Sequence, residues 1–178
     1  VRSEGRQWAE DGLKVAGDGL LEAWGDRGGT VDLDRVLDEV VTWHKMVMES
    51  EIALNLGEDE QRAGDQMRQT LRDMIERGRG VHAVDYAMGL DRMEMFAIAM
   101  REIFDDFDAI LTPSAPGEAP LGLDSTGNPA FCTLWTFAGM PSISLPLLQG
   151  EAGMPIGVQL VAGRHDDARL MRTANWLM

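Results

Sequence analysis

The residues able to carry chemistry crowd into one stretch, residues 112–139, where Asp, Ser, Thr, Asn, Cys and Trp lie between apolar segments. A connection that long and that apolar is more than a tether. Two roles fit it. It is one wall of a ligand pocket, or it is a packed connection in which Asp124 and Asn128 make turns and Trp135 fills the core.

Hydrolytic chemistry would need a nucleophile and a base to activate it. The serines are Ser3, Ser50, Ser114, Ser125, Ser142 and Ser144, and none stands in a Gly-x-Ser-x-Gly elbow. Lys14 and Lys45 lie in charged helical surroundings that favour exposure over a buried neutral amine. Cys132 follows Phe131 and has no neighbouring positive charge to hold a thiolate, so it reads as a small core residue. In the run Asp105-Asp106-Phe107-Asp108, neighbours in sequence do not share a helix face, and the run reads as a solvated helix end. Gly28 and Gly29 are not followed by the Lys-Ser/Thr of a phosphate loop. His44, His82, His165 and Cys132 show no metal-ligand spacing, and no cofactor is implied. The residues taken alone form no catalytic constellation.

Two parts of different make-up must position this stretch. All seven prolines fall in residues 111–178, while most of the 30 acids and 16 bases precede them. A charged stretch without proline suits helices. One rich in proline, glycine and small residues suits strands and loops. The chain reads as a single unit over residues 1–178, mainly helical in 1–110, with strands, loops and a final helix in 111–178. Leu33, Val36, Leu37, Val40, Val41, His44, Val47 and Met48 keep the three-and-four spacing of a buried helix face. Asp32 or Asp34 is the expected cap. A second helix carries Met67, Leu71, Met74 and Ile75 and stops near Gly78 and Gly80. A third spans residues 83–107 with Leu90, Met93, Phe96, Ala97, Met100, Ile103, Phe104 and Phe107 inward. A weaker helix over residues 12–24 is diluted by glycine.

Residues 109–111 read as a short strand that Pro113 ends. Ile143, Leu145 and Leu147 alternate with Ser142, Ser144 and Pro146; Ile156, Val158 and Leu160 alternate with Gly157, Gln159 and Val161. Gly150 and Gly153 between them predict an antiparallel hairpin. A last helix starts at Asp166 or Asp167 and buries Leu170, Met171, Ala174 and Leu177.

A net charge of −14 argues against nucleic acid and anionic membrane as partners. No apolar run approaches the roughly 20 residues of a membrane helix, and no targeting segment opens the chain. A single cysteine fits a reducing compartment, so a cytoplasmic location is expected. Val1 in place of a methionine leads to the expectation of a piece cut from a longer chain.

DAILTPSAP (108–116), GLDSTGNPAFCTLWTFAGMPSISLPLL (122–148) and GMPIGVQLVAGRHDDARLMRTANWL (153–177) together resemble the C-terminal part of amidase-signature enzymes. The combination is specific: a strand ending in TP-x-AP, then W-T-x-x-G-x-P-x-x-S-x-P, then P-x-G-x-Q-L-V. Residues 77–108 resemble the helical segment that precedes TP-x-AP in that family. The resemblance implies an α/β fold, an amidase-signature-like α/β/α arrangement with a mixed sheet, present here only as its C-terminal portion. It implies a parent that hydrolyses a carboxylic amide through a serine acyl-enzyme. In such a parent a lysine and a bridging serine activate the nucleophile, and backbone amides hold the oxyanion.

The Ser-Ser-Lys segment has no match in this sequence, so the resemblance assigns no catalytic residue here, and the chain alone is expected to be inactive. It implies substrate contacts at Asp124, Ser125, Thr126, Phe131, Cys132 and Trp135, because the connection after TP-x-AP approaches the active-site mouth. The implied partners are a small-molecule amide and the N-terminal remainder of the enzyme. A sheet cut short would also leave a raw edge that favours homo-oligomers. The reading from another class is a non-catalytic binding or assembly domain with an amidase-like fold.

Overall fold

Strand alternation and helix periodicity meet on a five-stranded sheet in the computed structural model, which describes residues 25–178 together with residues 2, 3, 9, 13, 18, 19 and 22. The strands are β1 (Arg2–Ser3), β2 (Thr30–Val31), β3 (Ile110–Pro113), β4 (Ser142–Gln149) and β5 (Pro155–Val161), in the order β2-β1-β3-β5-β4. β1 runs parallel to β2 and to β3, and β5 runs antiparallel to β3 and to β4, so the sheet is mixed. The expected hairpin is β4–β5. Its register shifts between Leu145 and Leu148, around Pro146, whose missing N–H suits an edge or a bulge. The helix expected over residues 12–24 lies largely outside the described residues.

The helices are α1 (Asp34–Ala63), α2 (Gln69–Arg79), α3 (Ala83–Met100), α4 (Ile103–Asp106), α5 (Ala130–Ala138) and α6 (Asp167–Leu177). They cover both faces of the sheet, as the period-two parity of the strands requires. Ile110 and Val161 join one apolar cluster with Leu37 and Val40 of α1, Met100 of α3, and Leu134, Trp135 and Phe137 of α5. Leu111, Leu145, Val158 and Leu160 join the other with Leu170 and Ala174 of α6. Each buried aliphatic side chain contributes about 1.5–3 kcal/mol. β5 places Val158 and Leu160 in one cluster and Val161 in the other, so it welds the two layers. Among the described residues no helix is long and apolar enough to cross a membrane.

Several local expectations are corrected. The third helix breaks after Met100: Arg101 N–H bonds back only three residues to Ile98, and α4 restarts at Ile103. The break folds Phe104 back into the first cluster. Leu90 and Met171 are exposed, not inward, because the helix faces that pack inward are narrower than the apolar stripes. Val41 is exposed for the same reason. Leu33, which has no side-chain acceptor, occupies the cap position of α1 where Asp32 or Asp34 is expected.

α1 and α2 cross backbone to backbone at Gly78. A Cβ added there would fall into the Glu49 carbonyl and lie 2.9 Å from the Ala53 Cβ. Next to it, Arg77 grips the buried Glu49 carboxylate through Nε (3.0 Å) and Nη2 (2.7 Å) to Oε1. Glycine at the crossing thus lets an otherwise costly buried charge reach its partner. Gly78→Ala is expected to destabilise the chain by about 1–3 kcal/mol, read by urea denaturation. An unchanged midpoint would mean that the helices do not cross this closely.

His44, half-buried on α1, has its pKa lowered by desolvation from the ordinary 6.5. Between the folded value and 6.5 the unfolded chain therefore holds more protons. Stability should be fully present above the ordinary value and decline as pH falls through it. His44→Gln should flatten that part of the pH profile of the denaturation midpoint, and an equally steep profile would contradict the burial argument.

Candidate functional site

At the end of β3 the strand parity puts polar side chains on the face that α5 covers. Thr112 and Ser144 both lie opposite Gln159 in the ladder, one on each side of β5. Gln159 is only 5% exposed. Its Nε2 donates to Thr112 Oγ1 (3.2 Å) and to the Phe131 carbonyl (3.1 Å). Cys132 Sγ stands 3.5 Å from the Ser114 carbonyl oxygen and 3.8 Å from Gln159 Oε1, able to give its one S–H to either. A buried amide left unpaired would cost about 1–3 kcal/mol, so these contacts hold α5 in place along the strand.

Beyond Gln159 the row opens. Ser114 continues the β3 ladder by donating its N–H to the Gly157 carbonyl (2.9 Å). Its Oγ then meets Ser144 Oγ at 2.6 Å. Gly157 lies beneath the pair, and a Cβ there would stand 2.7 Å from Ser114 Oγ and collide with Ser144 Oγ. A hydroxyl pair on an open strand end can donate and accept hydrogen bonds toward a ligand.

The loop that follows is pinned at one end. The Glu118 carboxylate accepts from Ala152 N–H (3.0 Å) and Met154 N–H (3.1 Å) of the β4–β5 turn. Gly150 leaves room for the Glu118 side chain there. Asn128 Oδ1 accepts from Ala130 N–H (3.0 Å) and turns the chain into α5. Gly139, at φ 65°, closes α5 in the left-handed region. Arg164 then ties that end to α3 by bonding the Ala138 carbonyl and Glu94.

The six residues expected to contact substrate fall into two groups. Phe131, Cys132 and Trp135 share α5, and Cys132 joins the Gln159 network. Trp135, 2% exposed, packs into the first core cluster. Asp124, Ser125 and Thr126 sit in the solvent-exposed part of the loop, where Ser125 Oγ accepts from Gly127 N–H (3.1 Å). Thr112, Gln159 and Glu118 are not among the six. Gln159 carries a signal, an amide in the middle of a strand that is otherwise apolar; the Glu118 latch spans 34 residues and carries none.

A separate cavity of about 570 Å³ lies on the α6 side of the sheet, lined by Arg27, Leu111, Leu160, Arg172 and Trp176 among others, and it contains none of the six. Among the described residues no group of three or more His, Cys, Asp or Glu could hold a metal ion.

A family model described as Amidase matches residues 44–171. One component of the glutamyl-tRNA(Gln) amidotransferase of Cupriavidus necator is 38% identical over 89 residues, 42% of this chain and 18% of that protein. A solved amidase superposes with a TM-score of 0.82 at 22% identity, covering 96% of this chain and 42% of its own. A 6-aminohexanoate cyclic dimer hydrolase does so with a TM-score of 0.73 at 20% identity, over 95% and 42%. The chain thus spans less than half the length of each of these proteins.

Gly157→Ala is expected to destabilise the chain by about 1–3 kcal/mol, and Ser144→Ala should recover part of the loss by removing one of the two clashing oxygens. The coupling in a double-mutant cycle should be roughly 0.5–3 kcal/mol. Additive effects would show that the two hydroxyls do not close over Gly157.

Proposed function

The chain belongs to the amidase family, and from that premise we propose that it is the C-terminal portion of an enzyme that hydrolyses a carboxylic amide through a serine acyl-enzyme. The carrying observation is the family match over residues 44–171. The fold of the matched amidase, of which this chain spans 42%, supports the same reading. Nucleophile, bridging serine and lysine belong to the N-terminal remainder, with which this portion completes an α/β/α body.

The local chemistry agrees with that division. Ser114 and Ser144 bond to each other at 2.6 Å, and a hydroxyl paired with a hydroxyl lacks the base that would activate it. This portion supplies substrate contacts instead. Phe131 and Cys132 on α5 form the wall, and Asp124, Ser125 and Thr126 on the exposed loop flank its mouth. Trp135 belongs to the wall through α5, which its indole anchors in the core.

The test is to produce the chain with and without its upstream remainder and to treat both with a fluorophosphonate. Labelling and amide hydrolysis are expected only with the remainder, on a serine outside this chain. Stoichiometric labelling of Ser114, Ser125, Ser142 or Ser144 in the chain alone would overturn the assignment. A remainder that yields neither label nor hydrolysis would leave the non-catalytic assembly domain as the correct reading.

A further inference from the structure

The cavity on the α6 side of the sheet has an apolar floor and a rim divided by charge. Leu111 of β3 and Leu160 of β5, both buried, form the floor. Arg169, Arg172 and Trp176, spaced by three and four, turn one face of α6 toward it. At the far end of that face the guanidinium of Arg27, from the turn before β2, lies 5.6 Å from the centroid of the Trp176 ring. At the near end the link from α4 to β3 contributes Asp106 and Asp108. Arg169 fastens α6 there by donating from Nη1 to the Phe104 carbonyl (2.9 Å). Its Nε is held as well, by Asp166 Oδ2 at 2.8 Å. Among the described residues, Arg27, Arg172, Asp106 and Asp108 take part in no ion pair and no side-chain hydrogen bond, so opposite charges line one space without touching.

We propose that this cavity binds a short apolar peptide with both ends free, its ammonium toward Asp106 and Asp108 and its carboxylate toward Arg27 and Arg172. A simple anion would be drawn by the arginines and repelled by the aspartates, and a simple cation the reverse. A molecule with one charge at each end satisfies both. Arg169 and Trp176 stand seven positions apart on α6, about 10 Å along the helix axis. An extended chain advances at most about 3.3–3.6 Å per residue, so two or three residues span that distance. A single amino acid holds its two charges too close together to do so. The cavity volume of about 570 Å³ fits such a ligand, since pockets of roughly 300–1,000 Å³ bury molecules of this size. Apolar side chains of the peptide would lie on Leu111, Leu160 and the Trp176 ring, and its carboxylate would meet planar guanidinium groups, which bind it through paired N–H donors. The inference does not depend on the amidase reading.

Titration calorimetry of the chain with leucyl-leucine tests both ends of the site. Saturable binding is expected, together with a fluorescence change that Trp176→Phe removes. N-acetyl-leucyl-leucine and leucyl-leucine amide should each bind roughly tenfold or more weakly, the worth of one charged hydrogen bond. Arg172→Gln should weaken leucyl-leucine to a similar degree and leave the amide form unchanged. Asp108→Asn should act in the same way with respect to the acetylated form. Both variants should keep the circular dichroism of the unaltered chain. Absence of saturable binding, or blocked peptides that bind as well as the free one, overturns the proposal without recourse to any variant. So does an Arg172→Gln chain of unchanged circular dichroism that binds leucyl-leucine as tightly as before. A longer chain with its upstream remainder that shields Trp176 from acrylamide and no longer binds leucyl-leucine would assign the cavity to the rest of the same polypeptide, and overturns the proposal too.

Discussion

A buried amide in the middle of the sheet governs the arrangement around it. Gln159 lies on β5, a strand paired on both sides and buried on both faces, so water cannot serve its side chain. Its partners come from two separate pieces of chain: Thr112 from β3, and from α5 both the Phe131 carbonyl and the thiol of Cys132. Sliding α5 by one residue would leave a buried N–H or C=O orphaned at about 1–3 kcal/mol each. α5 therefore has one register on the sheet. Once it is fixed, so are the side chains it presents at the open end of the row and the direction in which the preceding loop must leave.

What could be read from the residues is what repeats with a short period. The alternation around Leu145 and Val158 points to the hairpin, and the three-and-four spacing of Leu37, Val40 and Val47 to the inner face of α1. Features that depend on distant partners were not legible. Nothing near Met100 signals a break, because the helix stops where Phe104 must turn into a cluster assembled from the whole chain. Leu90 and Met171 look inward by spacing, yet the width of the packed face is set by neighbouring elements. The candidate site divides in the same way. Phe131, Cys132 and Trp135 are close in sequence and share a helix, but the row Thr112, Gln159, Ser144 exists only once three strands are aligned.

The charge-rich first part solves a different problem with related means. α1 is long and carries most of its polar residues outward, while α2 buries Ile75 completely. The crossing is secured by backbone proximity at Gly78 and by the Arg77–Glu49 pair beside it. The pair is half-buried, Glu49 inside and Arg77 at the surface, and removing the arginine would leave the buried carboxylate without its partner, which is expensive. It works as a registration device: the helices are right only when guanidinium and carboxylate meet. Gln159 does for α5 what Glu49 does for α2, in each case by making the wrong alignment costly.

The same logic separates recognition from reactivity at the open end of the row. A hydroxyl becomes a nucleophile when a nearby base with a pKa near neutrality takes its proton. Ser114 and Ser144 have each other, over a glycine that admits no closer group. Both oxygens keep capacity to bond outward, since each hydroxyl offers one donor and two lone pairs. Their backbones belong to strands held by ladder bonds to β5, so the pair is rigid as well as polar. Rigid hydrogen-bonding groups beside an apolar helix can orient a polar molecule without reacting with it, the kind of role proposed above for this portion.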